Sequence, residues 1–191
     1  MSIGIIDCGG ANLSSIYYSF KRLNANSLIS NSLDELEKMD ALILPGVGSA
    51  GIVMKTLTEK NLVSFIKETK KPVLGICIGM QILFDSSEED KTECLGLIEG
   101  SIQKFDTKDV NAIPQMGWNK VECNFDDTLN GYYYFANSYF NKDSDYTVGY
   151  STYGTKFSSI VKKDNLLGCQ FHPEKSSSTG EIFLKNFLKS I

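Results

Sequence analysis

The stretch Val73-Leu74-Gly75-Ile76-Cys77-Ile78-Gly79-Met80-Gln81 constrains this chain more than any other. An apolar run leads into a cysteine that has glycine two positions before and two positions after, and a helix-like segment follows. That spacing is the signature of a strand-to-helix elbow with a nucleophile at its apex. The turn is tight and strained, and side chains on its flanks would collide with neighbouring backbone, which glycine at 75 and 79 avoids. At a helix N-terminus Cys77 would face exposed N–H groups and the positive end of the helix dipole, and both favour the thiolate. The competing reading is a buried cysteine in a core strand, the common fate of a free thiol. The rest of the chain decides between them.

A length of 191 residues predicts a single domain, 1–191, and 42% hydrophobic residues supply a core. The net charge of −4 with dispersed Lys and Arg leaves no basic footprint for nucleic acid. No apolar run approaches the ~20 residues of a membrane helix. Met1–Asp7 reads as a first strand rather than a signal peptide, since it lacks a charged start and a long apolar stretch. The five cysteines (Cys8, Cys77, Cys94, Cys123, Cys169) contain no C-x-x-C and accompany a single histidine. The expectation is therefore no metal site, no disulfide scaffold, no cofactor and a cytoplasmic location.

The first half alternates strand and helix. Ile3–Ile6 predicts a strand, Asp7–Asn12 a turn, and Leu13, Ile16, Tyr17, Phe20 and Leu23 fall on one face of a helix. Gly9-Gly10 does not supply the glycine pattern of a dinucleotide loop. A short strand near 27–29, an acidic helix near 33–38 and a strong strand at 41–44 follow. Pro45-Gly46-Val47-Gly48 then opens a helix near 49–57, and another helix spans about 62–69 before the strand into Cys77. This alternation predicts an α/β fold with a doubly wound, mostly parallel, flavodoxin-like sheet, and a site at the carboxyl ends of its strands. From Leu95 to Gln170 short strands dominate, with turns at Gly100, Asn130-Gly131 and Tyr153-Gly154. No linker intervenes, so these strands predict an antiparallel extension of the same sheet. Phe183, Phe187 and Leu188 mark a closing helix.

A thiolate nucleophile needs a base held in orientation by a third group. The only histidine, His172, lies in Gly168-Cys169-Gln170-Phe171-His172-Pro173-Glu174 at the end of an apolar strand. In an extended chain residues i and i+2 point the same way, so Glu174 can hold one ring nitrogen while the other faces Cys77. A surface histidine beside an unrelated acid is the plainer alternative for an isolated H-x-E. The cysteine elbow and the sole histidine, each at a strand end, favour catalysis.

Taken together, Gly75–Gln81 and Phe171-His172-Pro173-Glu174 resemble the Cys-His-Glu triad of class I glutamine amidotransferase domains, and the similarity runs from Ile3 to the C-terminal helix. Pro45-Gly46-Val47-Gly48, Pro114-Gln115-Met116-Gly117-Trp118-Asn119 and His172–Ser176 are similar to the branch that serves imidazole glycerol phosphate synthase as its glutaminase. The resemblance implies that Cys77 attacks glutamine, His172 moves the proton and Glu174 orients His172, through a γ-glutamyl thioester. It implies an oxyanion site built from Ile78 and the Gly46–Val47 loop, the loop also being the regulatory switch. Gly48, Gln81, Glu89, Ser138 and Tyr139 match positions that hold the substrate; Ser86–Asp90 read alone is equally a solvated acidic loop. The implied partner is a (β/α)₈ barrel cyclase in a heterodimer. It takes the ammonia and N′-phosphoribulosyl-formimino-AICAR-phosphate to imidazole glycerol phosphate and AICAR. Met116, Trp118 and Asn119 would form the docking patch, the alternative for Trp118 being a core position.

One position departs from the pattern: Asn137 precedes Ser138-Tyr139 where the family commonly has histidine. Three other functions compete. A paralogous glutaminase would feed a sugar amidotransferase in surface-glycan synthesis. A non-catalytic module would only bind a partner, against which the intact Cys77, His172 and Glu174 argue. A stand-alone cysteine hydrolase would not be expected to carry Gln81 and the Pro45–Gly48 loop.

Overall fold

The computed structural model describes residues 1–9, 12–46 and 48–191. Its first half runs β1 (Ser2–Ile6), α1 (Leu13–Arg22), β2 (Asn26–Ser30), α2 (Leu33–Leu36), β3 (Ala41–Leu44), α3 (Ala50–Glu59), α4 (Leu62–Glu68), β4 (Val73–Ile76) and α5 (Ile78–Gln81). β1, β3 and β4 are buried at nearly every position, which is why they read as continuous apolar runs rather than alternating ones. α1 buries Ile16 and Phe20 against that layer, with Leu13, Tyr17 and Leu23 partly covered. The acidic segment from Leu33 settles as a single turn, burying Leu36 alone. The expected turn through Gly10 and Ala11 lies outside the described residues, as does Val47.

The second half contributes β5 (Ser86–Ser87), β6 (Thr92–Glu93), β7 (Ser101–Lys104), β8 (Gln115–Cys123), β9 (Gly131–Asn137), β10 (Tyr139–Phe140), β11 (Thr147–Tyr153), β12 (Thr155–Lys163), β13 (Leu166–Cys169) and α6 (Ser177–Leu188). Among the described residues the main sheet has nine strands in the order β2-β1-β3-β4-β13-β12-β11-β8-β9. Pairing is parallel from β2 to β13 and antiparallel from β13 outward to β9. The α/β architecture with an antiparallel extension is thus present. A small second sheet, β10-β7-β5-β6, gathers the shortest strands.

Two registers position the chemistry. Leu44 on β3 pairs with Gly75, and Cys169 on β13 pairs with Ile76, so three strands end side by side. The segments that follow them, Pro45–Gly46, Cys77 and Gln170–His172, therefore converge at the carboxyl edge of the sheet, where an open α/β sheet places its sites. The antiparallel arm then folds back over this edge. The His172 N–H donates to the Tyr134 carbonyl on β9 at 2.8 Å, and the Tyr133 ring stacks on Phe171 with centroids 4.0 Å apart. Phe135 and Phe183 meet Phe171 edge-on, and α6 closes the layer with Phe183 and Phe187 buried. Among the described residues no helix is long and apolar enough to cross a membrane.

Candidate active site

Cys77 sits at the elbow with φ 52° and ψ −108°, a backbone conformation that L-residues rarely adopt. A Cβ on Gly75 would strike the Gly79 backbone, and one on Gly79 would strike the Leu44 carbonyl. The strand, the turn and the neighbouring strand end are therefore in backbone contact, and the two glycines are what permits it. The helix that follows is one turn long. Any helix-end contribution at the elbow is therefore limited to the N–H groups of a single turn.

The thiol is 4% exposed and the histidine 6%. The Cys77 N–H donates to the Cys169 carbonyl at 2.7 Å, pinning the elbow to β13. His172 bonds Glu174 Oε1 through Nδ1 at 2.9 Å, and Cys77 lies near enough to act on its ring. The expected Glu174 contact exists, but the backbone that carries it is not extended. Residues Pro173–Lys175 form a 3₁₀ turn that curls the carboxylate back onto the ring. Ser176 secures the turn, its hydroxyl donating to the His172 carbonyl at 2.6 Å and accepting from the Tyr134 N–H at 2.9 Å. Asn12 adds a second donor to Glu174 Oε1, at 3.2 Å, from 162 residues away. Burial disfavours the charged imidazole. The charge and hydrogen bond of Cys77 and the bond and charge of Glu174 outweigh it, raising the His172 pKa to about 10. The site thus keeps a charged imidazole beside a cysteine, the pairing that a sulfur nucleophile requires.

Around the thiol, Ile78 is the first residue of α5, so its N–H has no acceptor within the helix. Gly46 presses on the elbow so closely that a Cβ would meet the Ile76 carbonyl and lie 2.5 Å from Cys77 Cβ. Gly48 is exposed with φ 92°. Of the positions matched to substrate binding, Gln81 is buried, and its Nε2 donates to the Tyr139 carbonyl and to Gln170 Oε1, both at 2.9 Å. Asn137 Nδ2 reaches the same Tyr139 carbonyl at 3.0 Å, and the Ser138 carbonyl accepts from the Phe105 N–H at 3.0 Å. Glu89 is half-buried rather than free in a loop, its Oε2 accepting the Ala50 N–H at 2.8 Å at the start of α3. Burial raises its carboxyl above the ordinary range, with Asp90 adding to the rise and the Ala50 bond opposing it. Ser49 donates to Asp90 at 2.6 Å, so the short 3₁₀ turn Glu89–Lys91 is clamped to the segment following Gly48.

Met116 (66% exposed) and Trp118 (55%) stand on one face of β8. Their cross-strand partners on β9 are Ala136 and Tyr134, and Trp118 meets the Tyr134 ring edge-on at 6.4 Å. Since Tyr134 also holds the His172 backbone, this aromatic face borders the site. Asn119 has the opposite parity. Its Nδ2 donates to the Thr152 carbonyl on β11 at 2.9 Å, which separates it from Met116 and Trp118. The sequence reasoning missed Asn12 and Gln170. Nothing local announces Asn12. Gln170, two residues before His172 and so of equal parity, carried a signal. A cavity of about 1010 Å³ lies at the amino ends of the strands, lined by Asp40, Pro72, Leu166 and Phe187, away from Cys77.

The model of the family glutamine amidotransferase class-I matches residues 4–191. The chain belongs to that family. It is similar to the imidazole glycerol phosphate synthase subunit HisH 2 of Campylobacter jejuni, 48% identical over 194 residues and all of both chains. It is likewise similar to the imidazole glycerol phosphate synthase subunit HisH of Haemophilus influenzae, 41% identical over all of this chain and 98% of that one. Two solved structures share the fold. One, a crystal structure of glutamine amidotransferase, aligns at TM-score 0.78 and 18% identity over 98% of this chain and 97% of that one. The other, PurLQS from Thermotoga maritima, aligns at TM-score 0.76 and 17% identity over 99% and 98%.

Proposed function

We propose that this amidotransferase, as one domain over 1–191, hydrolyses glutamine to glutamate and ammonia as the glutaminase subunit of a cytoplasmic imidazole glycerol phosphate synthase. The observation that carries the reading is the gathering of buried Cys77, His172 and Glu174 at the carboxyl edge of the sheet, with Glu174 bonded to His172 at 2.9 Å. The full-length relatives bearing that subunit's name support the pathway.

The Cys77 thiolate attacks the side-chain amide carbon of glutamine, forming a C–S bond as the carbonyl pair moves onto oxygen. The Ile78 N–H and the Gly46–Val47 loop receive that oxyanion. His172, oriented by Glu174, gives its proton to the amide nitrogen as the C–N bond breaks, and ammonia leaves. A γ-glutamyl thioester remains. Water, deprotonated by His172, then attacks it, the C–S bond breaks and glutamate departs. Gly48, Gln81, Glu89, Ser138 and Tyr139 border the space for the amino-acid end of the substrate.

Free ammonia is protonated in water and lost to nucleophilic chemistry, so its use requires a docked acceptor enzyme. The face carrying Met116 and Trp118 is offered for a barrel cyclase subunit, since exposed aromatic residues and Met are enriched at interface centres. Asn119 supports that face from behind, through its bond to Thr152. A second reading has one observation in its favour. Asn137 stands where the family commonly has histidine, a departure that a paralogue feeding a sugar amidotransferase would be free to carry.

Glutamate release, measured with and without the cognate barrel subunit and its histidine-pathway substrate, tests both. Stimulation by the barrel and its substrate together supports the histidine role. Stimulation by the barrel with indifference to that substrate supports the sugar-amidating one. No turnover under any condition overturns the glutaminase reading.

A further inference from the structure

We propose that Gln170 is a further catalytic residue, donating to the Cys77 sulfur to hold it as the thiolate, and that Gln81 sets the direction of that donation. The inference rests on the glutaminase reading and adds a group to it. Gln170 is fully buried, with Nε2 3.6 Å from Cys77 Sγ and Oε1 accepting from Gln81 Nε2 at 2.9 Å. Gln81 Nε2 also donates to the Tyr139 carbonyl at 2.9 Å.

The direction of this chain is dictated by its far end. A backbone carbonyl only accepts, so the Gln81 amide must turn its NH₂ toward Tyr139. The second hydrogen of that NH₂ then points at Gln170, which must answer with its oxygen. The Gln170 NH₂ is left facing the sulfur. Reversing Gln81 would set its oxygen against the Tyr139 carbonyl, and reversing Gln170 would set its NH₂ against that of Gln81. One atom records the cost: Gln81 Oε1 is buried without a partner. A buried acceptor left open is expensive, and its presence here is explained if the NH₂ orientation is what matters.

A thiolate accepts an N–H bond more strongly than a thiol, so a fixed donor at Sγ favours ionisation. Among the described residues, the titratable groups facing the sulfur are His172 in contact, with Glu174 behind it and the Cys169 thiol alongside. β9 presents only the Ala136 carbonyl, 4.0 Å away. The one-turn helix adds no charged side chain. Gln170 is therefore the neutral donor that complements the imidazolium. The relay also connects the nucleophile to the Ser138–Tyr139 segment, since displacing the Tyr139 carbonyl would release Gln81 and then Gln170.

The test is the pH dependence of Cys77 alkylation by iodoacetamide in the full chain, without glutamine or partner, read on the Cys77 peptide by mass spectrometry. Gln170→Met keeps length and bulk but removes the donor. It should raise the midpoint by about one pH unit, a tenfold loss of thiolate below the midpoint, equal to about 1.4 kcal/mol. Gln81→Met breaks the relay without touching the sulfur and should shift the midpoint the same way by less. Gln170→Glu, setting a carboxylate against the thiolate, should shift it further than Met. If Gln170→Met shows no cooperative thermal transition, Gln81→Met decides. Unchanged midpoints in the folded variants overturn the inference. No glutamate release by the unaltered protein with its barrel partner would instead overturn the glutaminase reading, so the two fail separately.

Discussion

Replacing Glu174 by Gln removes a charge while keeping the shape. In the native site Glu174 Oε1 accepts from His172 Nδ1 at 2.9 Å and from Asn12 Nδ2 at 3.2 Å, and the side chain is 1% exposed. An amide oxygen in the same place accepts both bonds, so Nδ1 keeps its proton and Nε2 still faces Cys77. What disappears is the charge that stabilises the imidazolium. A hydrogen bond to a charged group contributes about 1.5–3 kcal/mol against about 1 for a neutral pair, leaving a loss of about 0.5–2 kcal/mol. At 1.36 kcal/mol per factor of ten, ammonia departure slows by about 2- to 30-fold. Folding stability should fall by no more than that same increment, since shape and both Oε1 bonds are kept and the buried, unpartnered Oε2 is exchanged for an amide NH₂ in the same place. Glu174→Ala differs: it strands the His172 Nδ1–H and the Asn12 amide, costing about 1–3 kcal/mol of stability as well. The assays are steady-state glutamate release with partner and acceptor present, and urea unfolding of the same preparations. A Glu174→Gln enzyme as fast as wild type would refute the role of the charge. A large stability loss in the same variant would show the pair to be structural.

Two further outcomes follow from the geometry. Trp118→Ala should leave folding stability within about 0.5 kcal/mol, as an exposed site does, and weaken barrel binding by about 2 kcal/mol, roughly 30-fold, in a titration. Unchanged affinity would remove Trp118 from the interface. The His172 pKa is raised from 6.5 to about 10, so its charged interactions stabilise the fold fully below about pH 6.5 and are lost as pH climbs through about 10. The stability advantage of wild type over His172→Asn should therefore shrink across that window in pH-dependent thermal unfolding; a constant difference would contradict the charged pair.

Much of this was readable in the chain because the decisive pieces are local. The elbow is written in consecutive residues, and its glycines answer a contact, Gly79 against the Leu44 carbonyl, that any such turn must make. With a single histidine there was no choice of base. Alternating apolar runs gave the strands and helices up to Cys77. Long-range pairing was harder. The Gln115–Cys123 strand alternates inward Gln, Val and Cys with outward Met, Trp and Lys, a weak signal beside its neighbours, and its register against β9 decides that Trp118 and Asn119 face opposite ways. The folding of β9 over the site comes from Tyr133 and Phe135 packing on Phe171, tertiary contacts with no trace in either segment alone. Glu174 illustrates the limit in miniature. Its contact with His172 was expected from an extended strand, whereas Pro173 starts a 3₁₀ turn that reaches the same partner by another route.

The central claim is that Cys77 carries the substrate's acyl group during turnover. Acid quenching of the enzyme during glutamine hydrolysis, with the barrel partner present, followed by peptide mass spectrometry addresses it directly. The account predicts the mass of one γ-glutamyl group on the peptide containing Cys77, absent in Cys77→Ala. An adduct on another cysteine, or undiminished glutamate release by Cys77→Ala, would contradict it.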